Sequence, residues 1–520
     1  MSLLRNFATV GGATMASRVL GFVRDMLLAA VAGTGIVGDA WAVAFRLPNL
    51  FRRLFAEGAF NSAFIPLFGR AVEEQEDAGA RKVAGEIGSV LFVSLLIVTA
   101  LAQILMPFVV WALAPGYAAD AVKFDLTVVM SRIAFPYLIF MSLLAFVGGI
   151  LNTYHRFAAA AFAPVMLNIV MSIVLGIILV MGLEGERAIG NTLAIGCVVA
   201  GVVQLAVVLW DLKRLGFSIP IQRPRLTPAV KRLVVLGVPG VIAGGVTQIN
   251  ITVGTIIGSF QEGANSLLYY ADRLYQLPLG VIGIAIGVVL LPSLTRQLRS
   301  GDTAGYQSSL NNALEFALVL TLPAAIALAI VPHEIVSVLF ERGKFDAVSV
   351  DGTAAALAAY AFGLPAFVLN KVFSPGFFAR EDTKSPMQFA TIGMIVNVAL
   401  SIAFFPFLQH VGIALASTIA GWINTGLLVV VLWRRGHFAP DLKVLRRLTF
   451  VLLASTLMGV VVHFASILMA PYLSDGWLLT RVVALGGLVL IGMLAFGLFA
   501  QITGGTDFMR HMRALKRRGQ

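Results

Sequence analysis

The chain has 520 residues, 59% of them hydrophobic and 12% charged, with one cysteine and a formal net charge of +12. Soluble domains carry about 25% charged residues, so this composition, with a mean hydropathy of +0.91, excludes an ordinary soluble domain and points to a polytopic helical membrane protein. The lone Cys197 excludes a disulfide framework, and the cations are dispersed over short connections instead of forming the block that nucleic acid requires.

A helix of about 20 apolar residues spans the hydrocarbon core. By that measure about fourteen segments follow in order: 6–32, 37–68, 83–114, 123–150, 157–182, 188–210, 229–258, 266–295, 307–331, 348–378, 385–406, 411–433, 446–470 and 478–501. Ala30-Val31-Ala32 resembles a cleavage site, but Arg18, Arg24 and Asp25 stand where a signal peptide needs an uncharged stretch, so the first segment is expected to be retained.

Alternate connections are basic: Arg70, Arg81 and Lys82; Arg156; Lys213 through Arg232; Arg296 and Arg299; Arg380 and Lys384; Arg434 through Arg447; and the tail from Arg510. The intervening ones hold Lys123, Arg187, Arg342, Lys344 and Arg481. The positive-inside rule then places both termini in the cytoplasm of a multi-pass protein. His333–Phe345 reads equally as a short interfacial helix or an ordered loop.

The sequence also repeats. Phe45-Arg46-Leu47 and Ile65-Pro66-Leu67 match Asp272-Arg273-Leu274 and Leu291-Pro292-Ser293, and Leu151–Pro164 matches Pro375–Pro386. The expected organisation is a six-helix lobe over 1–213, a proline-rich cytoplasmic linker over 214–228 and a second six-helix lobe over 229–437. Two extra helices over 438–503 and a basic tail over 504–520 complete it. Parallel repeats of this kind suit a transporter whose substrate sits between lobes.

The charges inside apolar segments carry the chemistry. At 100° per residue, Thr14, Ser17, Arg18, Gly21, Arg24 and Asp25 share one broad helical face. Asp39, Arg46, Asn49, Arg53, Glu57 and Asn61 form a stripe on the second segment, but Pro48 interrupts the helix and leaves open whether Arg52 or Arg53 points inward. Tyr269, Asp272, Arg273 and Gln276 form a third face, and Gln248, Thr252 and Thr255 a weaker polar one. A purely structural role, with pairs such as Arg24–Asp39 or Arg273–Asp272, competes with a binding role for each residue. The excess of arginine favours binding, because its planar fork grips phosphate oxygens bidentately and does not lose its proton. The histidines lack ligand spacing, and no P-loop, zincin or G-x-S-x-G pattern occurs, so a transporter and not an enzyme is expected.

The runs SRVLGFVRD, GDAWAVAFRLPNLFRRLFAEGAFNSAFIPLF, YYADRLYQLPLGVIGIAIGVVLLPSL and SPGFFAREDTKSPM closely resemble the MurJ (MviN) lipid II flippases. The resemblance extends from Leu4 into the last apolar segment. It implies the fold of the multidrug/oligosaccharidyl-lipid/polysaccharide exporters, in the bacterial cytoplasmic (inner) membrane. It also implies translocation of the undecaprenyl-pyrophosphate-linked peptidoglycan precursor, lipid II, from the cytoplasmic to the periplasmic leaflet by alternating access for cell-wall synthesis. The family's cationic positions fall on Arg18, Arg24, Arg52 and Arg273, its acidic ones on Asp25, Asp39 and Glu57, with Ser17 and Asn49 on the same faces. By that analogy Arg52 is the inward residue. Arg46 stands where relatives often have lysine. The expected partners are lipid II, membrane lipids and the cell-wall synthesis machinery. No cofactor is expected; coupling to a sodium ion or to the membrane potential stays open, with no metal ligand assigned. The competing reading is a drug or polysaccharide-unit exporter of the same fold.

Overall fold

The computed structural model describes residues 3–51, 60–474 and 476–504. Among them the regular structure is helical, apart from a single bridge between Arg342 and Phe345. Nine helical stretches among the described residues are long and apolar enough to cross a membrane. The chain is thus an all-α polytopic membrane protein. It divides into two compact units, residues 1–266 with 342–345, and residues 267–341 with 346–520.

In the first unit α1 (Leu3–Ala32) packs along α6 (Ala158–Val180), and α2 (Ile36–Phe51) packs on α4 (Ala121–Ala134). The helix α5 (Tyr137–Thr153) lies against both α3 (Asn61–Leu113) and α7 (Glu186–Leu215), while α8 (Pro228–Gly258) lies on α3. Phe64, Phe68, Phe146 and Phe217 centre the core, with Phe64 at 5.3 Å from Phe68 and 5.2 Å from Phe146 between ring centroids. Such offset and tilted pairs contribute about 0.5–1.5 kcal/mol each beyond the area they bury. The run from Phe217 to Thr227 is not helical. It is fastened to α3 by Arg81, which donates to Ser218 Oγ at 3.2 Å, and by Ser89 Oγ, which accepts from the Gln222 amide at 3.2 Å.

In the second unit α10 (Thr303–Ile330) packs on α13 (Leu364–Phe378) and α15 (Leu442–Ser474). There α14 (Lys384–Arg434) lies on α13 and on α12 (Ala347–Ala361), and α16 (Leu478–Thr503) pairs with α15. The helix α9 (Ala264–Arg299) supplies Ile282, Ile286, Leu290 and Leu294 to a core shared with Tyr306, Phe373 and Phe377. His333–Phe345 is in part helical, as α11 (Pro332–Phe340), begun by a proline whose missing donor costs nothing at that position.

The element boundaries depart from the expected segments in three places. The stretch 69–82, which holds Arg70, Arg81 and Lys82, is not a connection but part of α3, because its Ala, Glu, Gln, Arg and Lys residues are strong helix formers with no proline among them. The single segment expected over 123–150 breaks between α4 and α5 at Pro136, and that over 348–378 breaks between α12 and α13 beside Gly363 and Pro365. Within α14 the backbone departs from helical geometry at Gln409, whose φ is 51°, in the gap expected after residue 406.

One construction occurs in each unit. After α5 the chain enters the left-handed region at His155 (φ 59°), and the Arg156 amide donates back to the Leu151 carbonyl at 2.8 Å. After α13 it does so at Glu381 (φ 62°), and the Asp382 amide donates to the Phe377 carbonyl at 3.1 Å. Both are Schellman-type endings, unusual in lacking glycine at the strained position. The residue that follows forms an ion pair with the end of the next long helix but one in the first unit, Arg156–Asp211 at 2.9 Å on α7, and of the next in the second, Asp382–Arg435 at 2.7 Å at the close of α14. The geometry is repeated with the charges exchanged.

Candidate functional site

The helix α1 carries the first cluster. Adjacent helical positions point 100° apart, yet the long Arg24 side chain folds over Asp25: Nη2 lies 2.7 Å and Nε 3.2 Å from Asp25 Oδ1. The third contact is to α6, where Asn168 Oδ1 accepts from Arg24 Nη1 at 3.0 Å. Asn168 Nδ2 donates to the Ser17 carbonyl at 2.8 Å and to Ser17 Oγ at 3.2 Å. Arg24 and Asp25 are 9% and 3% exposed, so burial of this charge depends on the partners around it. Arg18, one and a half turns before Arg24, is half-buried.

The helix α2 carries the second. Asp39 is fully buried, and both of its carboxylate oxygens are engaged. Oδ2 meets Lys123 Nζ at 2.5 Å and the Gly263 amide at 2.9 Å; Oδ1 accepts from the Ser266 amide at 3.0 Å and from Ser266 Oγ at 2.9 Å. Lys123 also lies over the Tyr117 ring, 4.2 Å from its centroid, and Tyr117 Oη accepts from Asn265 Nδ2 at 3.0 Å. Arg24–Asp39 pairing, one of the structural alternatives raised by the sequence, is replaced by Arg24–Asp25 and Lys123–Asp39. Further along α2, Arg46 donates to Thr255 Oγ on α8, and Asn49 Nδ2 donates to the Phe45 carbonyl at 2.9 Å. Arg52, Arg53 and Glu57, like the tail from residue 505, lie outside the described residues.

The third cluster belongs to the second unit. Along α9 the expected face is held by contacts four residues apart: Arg273 stacks on the Tyr269 ring at 4.7 Å, and Gln276 donates to Asp272. The structure therefore gathers Ser17, Arg24 and Asp25 in one cluster, places Asp39 in another, and stacks Arg273 on Tyr269 of α9. Two participants escaped the sequence reading. Lys123 counted only as a cation of a sparse connection, and Asn168 is a single amide in the apolar run of α6. A lone amide in such a run is itself a signal, since it must find a partner across a helix interface. Among the described residues there is no group of three or more His, Cys, Asp or Glu able to hold a metal ion.

The profile of the family described as "Lipid II flippase MurJ" matches residues 28–484. The "Probable lipid II flippase MurJ" of Rhizobium tropici is 48% identical over 520 residues, spanning 100% of this chain and 97% of that protein. The "Lipid II flippase MurJ" of Burkholderia cenocepacia is 35% identical over 473 residues, covering 90% and 91%. A solved structure, "Lipid II flippase MurJ, inward closed conformation", superposes with a TM-score of 0.79 at 26% identity, covering 97% of this chain and 99% of that one. An inward-facing multidrug transporter of the MATE family shares the fold, with a TM-score of 0.66 at 16% identity over 81% of this chain and 94% of that one.

Proposed function

The chain belongs to the MurJ family of lipid II flippases, and from that premise we infer how its own residues handle the lipid-linked peptidoglycan precursor. It translocates lipid II across the inner membrane. The pyrophosphate is gripped by Arg18, Arg24, Arg52 and Arg273 on the cytoplasmic side and carried outward by alternating access. The observation that carries this reading is Arg24: a buried arginine whose guanidinium donates to the Asp25 carboxylate and to the neutral side-chain amide of Asn168. A charge at the centre of a membrane-spanning helix costs about 2.5–3.5 kcal/mol on insertion scales, and phosphate oxygens in the transport cycle are the partners an arginine fork is suited to bind.

Asp25 serves as the resting countercharge of Arg24, released to solvent or to a neighbouring cation when phosphate arrives. Asp39 takes a different part, fastening the start of α2 to Lys123 and to the Gly263–Ser266 turn. Glu57 and Asn49 complete the proposed polar lining of the entry path. The polyprenyl tail remains in lipid along α15 and α16, and both termini face the cytoplasm. Return of a positively charged empty site would be biased by the membrane potential, worth about 2.3 kcal/mol per charge per 100 mV. A drug exporter of this fold would have little use for so many arginines.

The decisive experiment uses cells in which this protein is the only flippase, with lipid II exposure read by a probe confined to the outside. Arg24→Lys keeps the charge but removes the fork, and is expected to abolish most exposure while precursor accumulates within. Full exposure with both Arg24→Lys and Arg273→Ala would refute the arginine grip.

A further inference from the structure

We propose that Asn168 is a positioning residue for transport: its side-chain amide aims the Arg24 guanidinium at the substrate's pyrophosphate. This rests on the reading that Arg24 binds phosphate. Asn168 is 5% exposed and belongs to α6, 144 residues from the arginine it holds.

The orientation of the amide is fixed by its neighbours. On one side stands a guanidinium N–H, which requires an acceptor; on the other stands the Ser17 carbonyl, which requires a donor. A flipped amide would face donor with donor and acceptor with acceptor, so Oδ1 must point to Arg24. The approach is eased by Gly21, one turn before Arg24 on α1, where a Cβ would come 3.3 Å from Asn168 Nδ2, a tight contact. The result is a bracket: α1 supplies the arginine and the backbone carbonyl, and α6 supplies one amide that bonds to both.

The chemistry of the bracket is as informative as its shape. Asp25 takes Nε and Nη2 through a single oxygen, and Asn168 takes Nη1. Because the amide is neutral, it directs the fork without cancelling its charge. A carboxylate in its place would add negative charge at Nη1 and compete with an incoming phosphate. A hydrocarbon would take this acceptor away from Nη1 in a buried site, where a lost hydrogen bond to a charged group is costly.

The test measures binding of undecaprenyl pyrophosphate to the full chain in lipid nanodiscs, with thermal unfolding recorded in parallel. Asn168→Leu, close in volume, is expected to weaken binding about tenfold, the scale of one lost hydrogen bond to a charged group. In an Arg24→Lys background the same change is expected to add no further loss, since lysine has no fork to aim. Asn168→Asp is expected to bind more weakly still at neutral pH. An equal loss from Asn168→Leu on both backgrounds, or wild-type affinity in Asn168→Asp, would overturn the proposal. Should Asn168→Leu fail to fold, Asn168→Ala carries the same comparison. Unchanged affinity in Arg24→Ala would instead defeat the phosphate reading on which the proposal stands, whatever Asn168 does.

Discussion

Lys123 and Asp39 meet at 2.5 Å with side chains 6% and 0% exposed, across 84 positions of sequence. The carboxylate is further held by two backbone amides and a hydroxyl from Gly263 and Ser266. A buried pair so fully bonded is broken at greater cost than it is replaced. Removing one partner leaves an uncompensated charge, worth about 3–5 kcal/mol, whereas exchanging both is often nearly neutral. Lys123→Met is therefore expected to lower the unfolding temperature sharply. Lys123→Met combined with Asp39→Asn should recover part of the loss, because asparagine removes the unpaired charge while its Nδ2 must face the donor of Gly263 or of Ser266. A loss in the double variant equal to the sum of the losses from Lys123→Met and Asp39→Asn alone would show that the pair is not coupled.

Asp382 gives a prediction in pH. Its carboxylate accepts from Ser385 Oγ at 2.6 Å and from the Ser385 amide at 2.9 Å, and Arg435 lies beside it. The Ser385 hydroxyl first, then its amide and Arg435, hold the carboxyl down from 3.8 to about 2. A folded-state value below the unfolded one means that the contribution is present above pH 4 and disappears as pH falls toward 2. The unfolding temperature of the wild type should thus drop through that window, and the drop should be smaller in Asp382→Asn. Identical slopes in both proteins would remove Asp382 from the account.

The seating of α15 on α10 depends on Gly459. A Cβ at that position would come 2.5 Å from Ile330 Cδ1 and 2.7 Å from Ile326 Cγ2. The isoleucine tips can yield a little, so Gly459→Ala is expected to cost about 1–3 kcal/mol, and Gly459→Leu to separate the two helices. Faster protease cleavage between α14 and α15 would report the separation. Unaltered cleavage and melting in Gly459→Leu would mean that the seam is loosely packed.

Arg481, on α16, joins the end of α15 to α11 and its C-cap. It donates to the Leu473 carbonyl at 2.9 Å, to Ser337 Oγ at 2.7 Å and to Glu341 Oε2 at 2.9 Å. Burial pushes the Glu341 carboxyl up, but the hydrogen bonds from Ser337 and Arg481 outweigh it and hold the group below its ordinary value. Arg481→Ala is expected to speed amide hydrogen exchange over residues 470–474 without changing exchange in α13. Uniform acceleration through the second unit would signal general destabilisation instead.

Much of this was legible because membrane helices advertise their period and their charges. Arg24 and Asp25 stood out as ionisable residues in an apolar run, and 100° spacing put Ser17 beside them. Partners were a different matter. Nothing local links Lys123 to Asp39, or Asn168 to Arg24, since each contact is made only when distant helices pack. The stretch 69–82 misled for the opposite reason: its charges resemble a loop, but charged residues with long unbranched side chains sustain a helix as readily as they end one. Pro48 leaves the phase of Arg52 unsettled, and Arg52 lies outside the described residues.

The exchanged polarity of Arg156–Asp211 and Asp382–Arg435 sets a rule for recombining the chain. A loop transplanted from the second unit into the first would bring Asp382 against Asp211, and the reciprocal graft would bring Arg156 against Arg435. The turns themselves are interchangeable in shape, but each answers only to its own helix end. A hybrid built from both halves of this molecule must therefore move loop and helix terminus together, or carry two like charges where a pair should be.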